Sequence, residues 1–146
     1  MVAIALLAIL LTTIACASVD SKKSNNTTPY ATEVSILNYG ELSKIRHIHK
    51  QIEVANGDEV LVTLLSNAST GFSWNENAVI ADTSILQQLK HEAISAGSNI
   101  PGAPGAEKWN FKAIKAGTTT VHLEYSQPWE GGEKGIWTFD LAVTVK

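Results

Sequence analysis

The feature that most constrains the fold is an alternation of apolar and polar residues with period 2 in three successive C-terminal segments. The segments span residues 108–113, 118–126 and 135–146. In the first, Trp109, Phe111 and Ala113 share one face, opposite lysine and asparagine side chains. Alternate side chains of a β-strand point to opposite faces, so each segment is predicted to be a half-buried strand. Three such strands exclude an all-helical domain.

Further strands are predicted upstream of these three. Residues 48–54 and 59–65 flank Asn56-Gly57, a dipeptide that tolerates positive φ and favours a tight hairpin between them. Residues 72–80 and 85–95 are predicted as strands, the second with a competing helical period, and an edge strand is predicted within residues 32–39. About seven strands at this spacing are typical of an all-β fold, an immunoglobulin-like antiparallel β-sandwich.

Composition divides the 146 residues into three parts. Residues 1–16 are an apolar leader, residues 17–31 are polar without any period and predict a flexible tether, and residues 32–146 remain for one domain. The single cysteine excludes a disulfide scaffold and a four-cysteine zinc site. A net charge of −3, with no basic run longer than Lys22-Lys23, argues against a nucleic-acid binder.

The leader predicts export. Of its 16 residues 14 are apolar and none is charged, and it ends in small residues around Cys16, as a signal peptide does. Ile14-Ala15-Cys16 resembles a bacterial lipobox, which would make Cys16 a lipidation site and the protein a cell-envelope lipoprotein. Two alternatives stay open: cleavage at Ala15-x-Ala17 to give a secreted protein, and an uncleaved apolar anchor over residues 1–19.

Three long connections are expected at one end of the sandwich. Successive antiparallel strands reverse direction, so alternate connections emerge at the same pole. Residues 67–71, 96–106 and 127–134 form one set, rich in Gly and Pro, whereas the other set is short: residues 55–58, 81–84 and 115–117. Loops on a rigid scaffold commonly carry recognition, so the first set predicts a binding surface.

These connections carry three motifs in a fixed order. The first reads NASTGFSW from Asn67 to Trp74, the second has Gly102-Ala103-Pro104-Gly105 ahead of a W-x-F strand, and the third reads QPWE after Tyr125-Ser126. Together they resemble the chagasin family of immunoglobulin-like inhibitors of papain-like cysteine peptidases, whose motifs are N-P-T-T-G-[YF]-x-W, a Gly-rich loop and R-P-W-E. The resemblance covers about residues 48–146.

The resemblance implies a reversible, tight-binding, competitive inhibitor that is not an enzyme and needs neither a cofactor nor a metal. It implies a monomer whose partner is a papain-like cysteine peptidase, with Thr70, Gly71 and Phe72 approaching the peptidase thiolate. The middle loop would follow one wall of the cleft and Trp129 would pack against an aromatic surface beside it. The implied peptidase-binding residues are Asn67, Ala68, Ser69, Thr70, Gly71, Phe72, Gly102, Gly105, Gln127, Pro128, Trp129 and Glu130.

Three residues depart from the family motifs. Ala68 replaces a proline and loosens a loop whose rigidity lowers the cost of ordering on binding. Ser69 replaces a threonine, and Gln127 replaces an arginine and removes a cationic partner. We expect these changes to weaken affinity or alter target choice more than to abolish inhibition.

Other residues have structural interpretations. Trp74 and Trp109 are predicted to be core residues, and Asn67 to cap a turn. Glu130 and Glu133 are predicted to form a solvated rim, and the histidines 47 and 49 a solvated strand face rather than a metal site. The alternative function is an envelope immunoglobulin-like module that binds another protein or a glycan through the same loops; a membrane contact is expected only through the N-terminal lipid.

Overall fold

The computed structural model describes residues 30–95 and 102–146. The leader, Cys16 and most of the tether, as well as the first part of the middle loop, lie outside the described residues. In these ranges the chain forms nine strands, one short α-helix and one 3₁₀ turn. Their bounds are β1 Ala31–Ile36, α1 Tyr39–Lys44, β2 His47–Val54, β3 Glu59–Ser66, the 3₁₀ turn Ala68–Thr70, β4 Ser73–Trp74, β5 Val79–Ile80, β6 Leu86–Ile94, β7 Gly105–Ala113, β8 Gly117–Ser126 and β9 Trp137–Val145.

The strands form two sheets, which confirms the predicted all-β sandwich. One sheet has the order β1-β3-β7-β6, and the other has the order β2-β9-β8-β4, with β5 also pairing with β8. The pairs β1–β3 and β2–β9 are parallel, whereas the other pairs are antiparallel. Both parallel pairs involve an outer strand of a sheet, so the interior of each sheet keeps the predicted antiparallel pairing.

The apolar residues of the period-2 pattern form the hydrophobic core. On β7, Trp109, Phe111 and Ala113 are fully buried, and β8 and β9 bury their apolar faces against them. The core residues of β8 and β9 are Val121, Leu123, Tyr125, Phe139, Leu141, Val143 and Val145. Trp74 is also buried, so the prediction of both tryptophans as core residues is confirmed.

The predicted hairpin around Asn56-Gly57 is wrong. β2 pairs with β9 in one sheet and β3 pairs with β1 and β7 in the other, so the turn crosses between the sheets. Gly57 does adopt positive φ, at 91°. The backbone N–H groups of the turn explain the crossing: Asn56 donates to Lys146 O at 3.0 Å, whereas Gly57 donates to Ala113 O at 2.9 Å, one bond to each sheet.

The continuous strand predicted over residues 72–80 is also wrong, because only β4 and β5 form there. Asn75 lies where the chain leaves the ladder: its Oδ1 accepts from Glu124 N at 2.6 Å and its Nδ2 donates to Asn77 O at 2.6 Å. These side-chain bonds replace ladder bonds and bend the chain between the two short strands. Within residues 85–95 the strand β6 forms over Leu86–Ile94, so the predicted strand is confirmed and the competing helical period is not followed.

The connections alternate between two poles as predicted. β3, β6 and β8 all run toward one end of the sandwich, which we call the loop pole, and the long connections that follow them lie there. The turns at residues 55–58, 81–84 and 115–117 lie at the opposite pole. In the described ranges, no helix is long and apolar enough to cross a bilayer.

Candidate functional site

The first loop, loop A (residues 67–72), folds around the side chain of Asn67. This residue caps the 3₁₀ turn, and its Oδ1 accepts from Ser69 N at 3.2 Å and from Ser69 Oγ at 2.7 Å. The Thr70 hydroxyl donates back to Asn67 O at 2.6 Å. Gly71 ends the turn with φ 78°, a conformation that favours glycine. The predicted capping role of Asn67 is therefore confirmed, and the loop is held by its own polar groups.

Aromatic residues fix the base of loop A. Asn67 N donates to the hydroxyl of the buried Tyr125 at 2.9 Å, and the Phe72 ring stacks on the Tyr125 ring at a centroid distance of 5.7 Å. Phe72 is partly buried and packs against the core cluster. Its side chain thus anchors the loop from below, while Ala68, Ser69 and Thr70 are exposed.

A buried carboxylate that was not among the residues predicted from the sequence also supports this loop. Glu107, only 5% exposed, accepts from Ser66 Oγ at 2.7 Å and from Trp74 N at 3.0 Å. Its other oxygen lies 3.0 Å from Nε2 of His91. Ser66 and Trp74 are on the two strands that loop A connects, so Glu107 ties both ends of the loop to β7. Buried polar groups that are fully hydrogen-bonded in this way rigidify their surroundings.

The described part of the middle loop, loop B (residues 102–104), contacts loop A directly. Nδ2 of Asn67 donates to Gly102 O at 3.2 Å. Gly102 has φ 79°, and a Cβ on it would lie 3.8 Å from Ser69 Oγ. Gly105 is not a loop residue: it is the first residue of β7, paired with Ser66. The predicted residues Gly102 and Gly105 therefore both lie beside loop A, one in a loop and the other in a strand.

The third loop, loop C (residues 127–136), is closed by Gln127. Its backbone N–H donates to Glu133 O at 2.8 Å, and its Oε1 accepts from Glu133 N at 3.0 Å. The Lys134 ammonium donates to Gln127 O and, at 3.2 Å, to Trp129 O. Gln127 thus holds the loop by its amide where the family motif has an arginine, and the cation of this loop is Lys134.

Trp129 brings loop C onto loop A. Trp129 is 50% exposed, yet a Cβ on Gly71 would lie 2.6 Å from its Cη2. A Cβ on Gly132 would lie 3.0 Å from its Nε1, so a second glycine makes room for the same ring. The side chain is therefore seated between two glycines with its remaining surface open to solvent. Such a half-buried Trp suits an interface anchor.

The remaining predicted contact residues of loop C, Pro128 and Glu130, are exposed. Glu133 is exposed as well, so the solvated rim predicted for the two glutamates is confirmed. Histidines 47 and 49 are exposed on β2 as predicted. Within residues 30–95 and 102–146 no group of three or more His, Cys, Asp or Glu side chains is placed to hold a metal ion.

The pole therefore presents loop A in contact with both loop B and loop C on an immunoglobulin-like scaffold, which is the architecture of a loop-presenting binding protein. The sequence model described as Chagasin family peptidase inhibitor I42 matches residues 53–143. The chain thus belongs to the chagasin family, as its motifs indicated, and this is a family of protease inhibitors rather than enzymes.

Two curated relatives are similar in sequence. The chain is 32% identical to Amoebiasin-2 of Entamoeba histolytica over 98 residues, which are 67% of this chain and 79% of that protein. It is 30% identical to Chagasin of Trypanosoma cruzi over 87 residues, which are 58% of this chain and 79% of that protein.

Solved structures agree on the fold. The crystal structure of the cysteine protease inhibitor EhICP2 from Entamoeba histolytica matches with a TM-score of 0.62 at 24% identity, over 81% of this chain and 99% of that chain. PbICP-C, solved in complex with falcipain-2, matches with a TM-score of 0.57 at 13% identity, over 80% of this chain and 99% of that chain.

Proposed function

We propose that the protein is a reversible, tight-binding, competitive inhibitor of papain-like cysteine peptidases, whose active-site cleft it occludes with loops A, B and C. Family membership supports the inhibitory activity, and the complex of the structural neighbour PbICP-C with falcipain-2 supports the class of target. The observation that carries the proposal is the contact of the exposed Trp129 with Gly71, together with the Asn67–Gly102 hydrogen bond. These contacts join the three loops into one surface.

The roles within the cleft follow from exposure and from backbone conformation. Loop A offers the exposed Ser69 and Thr70 beside Gly71, so its backbone can approach a narrow cleft closely. Trp129 is half exposed beside Gly71, so it offers an apolar surface next to loop A. No covalent step is required, because an inhibitor of this kind excludes substrate by occupying the cleft.

Internal hydrogen bonds support the expectation that Ala68 can stand in place of proline. The Asn67 side chain, the Thr70 hydroxyl and the Tyr125 hydroxyl already restrict loop A. A loop held before binding loses less conformational entropy in the complex. We therefore expect inhibition to survive the departures from the family motifs.

Steady-state kinetics test this proposal. With purified protein, papain and a fluorogenic peptide, we expect the apparent KM to rise with inhibitor concentration at constant maximal rate, with an inhibition constant below about 1 μM. Activity should return on dilution, because no bond to the thiol forms. An unchanged cleavage rate with excess protein would reject the proposal and favour a module that binds another protein or a glycan.

We also propose export of the protein and its attachment to the envelope through a lipid on Cys16. The leader composition supports export, and the position of Tyr30 suits a tether. Tyr30 O accepts from Glu59 N at 3.0 Å and Tyr30 N donates to Asp58 Oδ1 at 3.3 Å, at the pole opposite the loops. A membrane anchor on that side would leave loops A to C free. The intact mass of the exported protein tests this: diacylglyceryl on an N-terminal Cys16 is expected, and an unlipidated species beginning at Ser18 would refute it.

A further inference from the structure

A fourth segment also lies at the loop pole. Residues 37–46, which contain α1, connect β1 in one sheet to β2 in the other. β1 runs parallel to β3, which leads into loop A, and β2 runs parallel to β9, which follows loop C. Both ends of the segment are therefore at the loop pole, and it crosses the end of the sandwich beside loops A and C. We call residues 37–46 the crossing segment.

The crossing segment is firmly seated. Leu42 is fully buried and closes the end of the core. Asn38 caps the helix, its Oδ1 accepting from Gly40 N at 2.8 Å, and Ile45 N donates to Glu41 O at 3.1 Å at the other end. An element held at both ends and in the middle can bind a partner with little loss of conformational entropy.

A chain of aromatic contacts connects this segment with loop A. The Tyr39 ring meets the Trp137 ring edge-on at a centroid distance of 5.8 Å, and Trp137 stacks on Tyr125 at 4.9 Å. Tyr125 in turn stacks on Phe72 and accepts the hydrogen bond from Asn67 N. The crossing segment and loop A are therefore two parts of one rigid surface.

Exposed apolar side chains are concentrated on this surface. Nine large apolar side chains are exposed in residues 30–95 and 102–146, and five of them lie at the loop pole. Trp129 and Ile94 belong to loop C and the end of β6, and the other three are in the crossing segment: Leu37, 57% exposed, Tyr39, 62%, and Ile45, 50%. A cluster of exposed apolar groups at one site marks an interaction surface, whereas scattered ones do not.

We propose that the crossing segment is a fourth contact element of the inhibitor, in which Leu37, Tyr39 and Ile45 pack on an apolar surface of the peptidase next to that contacted by loop C. This inference rests on the proposed function. The peptidase is the occupant because Tyr39 contacts Trp137, the residue that directly follows loop C, so the segment adjoins the surface proposed to meet the peptidase. The chain preceding Tyr30 enters the domain at the opposite pole, so the patch is distant from the point where the tether joins.

Amide hydrogen exchange on the unaltered protein tests this without any substitution. In the complex with papain, we expect exchange in the crossing segment to slow along with that of loop A, while the turn at residues 115–117 keeps its free rate. Protection of loop A without protection of the crossing segment would overturn the inference and leave the proposed function standing.

Variants give a second test. The double variant Leu37→Asp/Ile45→Asp is expected to raise the inhibition constant for papain about tenfold or more, as loss of an interface anchor does. Tyr39→Ala should act in the same direction, whereas Tyr30→Ala, which removes an even more exposed tyrosine at the opposite pole (75% against 62%), should have no effect. A wild-type constant for the double variant, alongside a weakened Trp129→Ala, would overturn the inference.

Two further results are distinguishable from these. Failure of the unaltered protein to inhibit papain would overturn the proposed function itself, and this inference with it. Sedimentation that shows a dimer of the unaltered protein and a monomer of the double variant would assign the patch to a second copy of the chain and so overturn the inference.

Discussion

Replacing Gly71 by alanine tests how loops A and C are joined. Gly71 has φ 78°, where an L-residue is strained by about 1–2 kcal/mol, so the free energy of unfolding should fall by that amount. The new Cβ would also lie 2.6 Å from Cη2 of Trp129. Carbon atoms pack at about 3.5–4.0 Å, so the indole ring has to move by about 1 Å.

The ring can move because Trp129 is half exposed to solvent. The fold therefore tolerates Gly71→Ala, but Trp129 leaves the position in which it contacts the peptidase. Loss of an interface hot spot costs about 2 kcal/mol or more, which is about 30-fold in the inhibition constant. We expect Gly71→Ala to raise the inhibition constant for papain by about this factor.

The assay combines inhibition constants with urea unfolding, and Gly57→Ala is the matched control. Gly57 also has positive φ, at 91°, but no atom lies within 4 Å of its would-be Cβ, and it is at the opposite pole. Both variants should lose a similar amount of free energy of unfolding, and only Gly71→Ala should raise the inhibition constant. In a Trp129→Ala background, the further effect of Gly71→Ala on inhibition should shrink, because the clash is gone. Fully additive effects, or wild-type inhibition by Gly71→Ala, would refute the reasoning.

Three other predictions concern stability. Ala68→Pro should raise the free energy of unfolding by about 0.4–1 kcal/mol and tighten inhibition. Proline fits this position because Asn67 before it is extended, at φ −131° and ψ 90°, and Ala68 is the first residue of a helical turn. Weaker inhibition would contradict this. Glu107→Ala should lower the free energy of unfolding, measured in urea, by at least about 2 kcal/mol, because each buried donor left without its acceptor costs about 1–3 kcal/mol. A loss below about 1 kcal/mol would contradict this. Hydrogen bonds from the hydroxyl and the N–H of Ser84 hold the pKa of Asp82 below its ordinary value. The ionised Asp82 carboxylate therefore stabilises the fold above its unfolded-state pKa, and this contribution is lost as the pH falls through its folded-state pKa. The difference in thermal midpoint between the unaltered protein and Asp82→Asn should vanish in acid, and a difference that stays constant with pH would contradict the prediction.

The sequence was most informative where local pattern and burial coincide. The alternation around Trp109 predicted three C-terminal strands, and the reversal of strand direction placed three loops at one pole. Glu107 was missed because the predicted strand began one residue too late. Glu107 lies two residues before Trp109 and therefore on the same face of β7 as Trp109 and Phe111. Extending the alternation by one residue would have identified a carboxylate on the buried face.

Long-range pairing could not be read in the same way. The Asn56-Gly57 turn has the local chemistry of a hairpin, yet its flanking strands pair with other strands: β2 with β9, and β3 with β1 and β7. α1 has only six residues and is stabilised by burial of Leu42 rather than by propensity. The contact of Gly71 with Trp129 likewise depends on the completed sandwich. The position of the crossing segment, in contrast, could have been predicted: reversal of strand direction, applied also to the connection before β2, places residues 37–46 at the loop pole.

The central claim is that the loop pole occupies the active-site cleft of a papain-like peptidase. The most direct measurement is the rate at which iodoacetamide alkylates the catalytic thiol of papain with and without the purified protein. We expect alkylation to slow in proportion to the fraction of papain bound, and to slow less when Trp129→Ala replaces the unaltered protein at the same concentration, because that variant binds a smaller fraction of the papain. Alkylation at the free rate with the unaltered protein in excess would contradict the account.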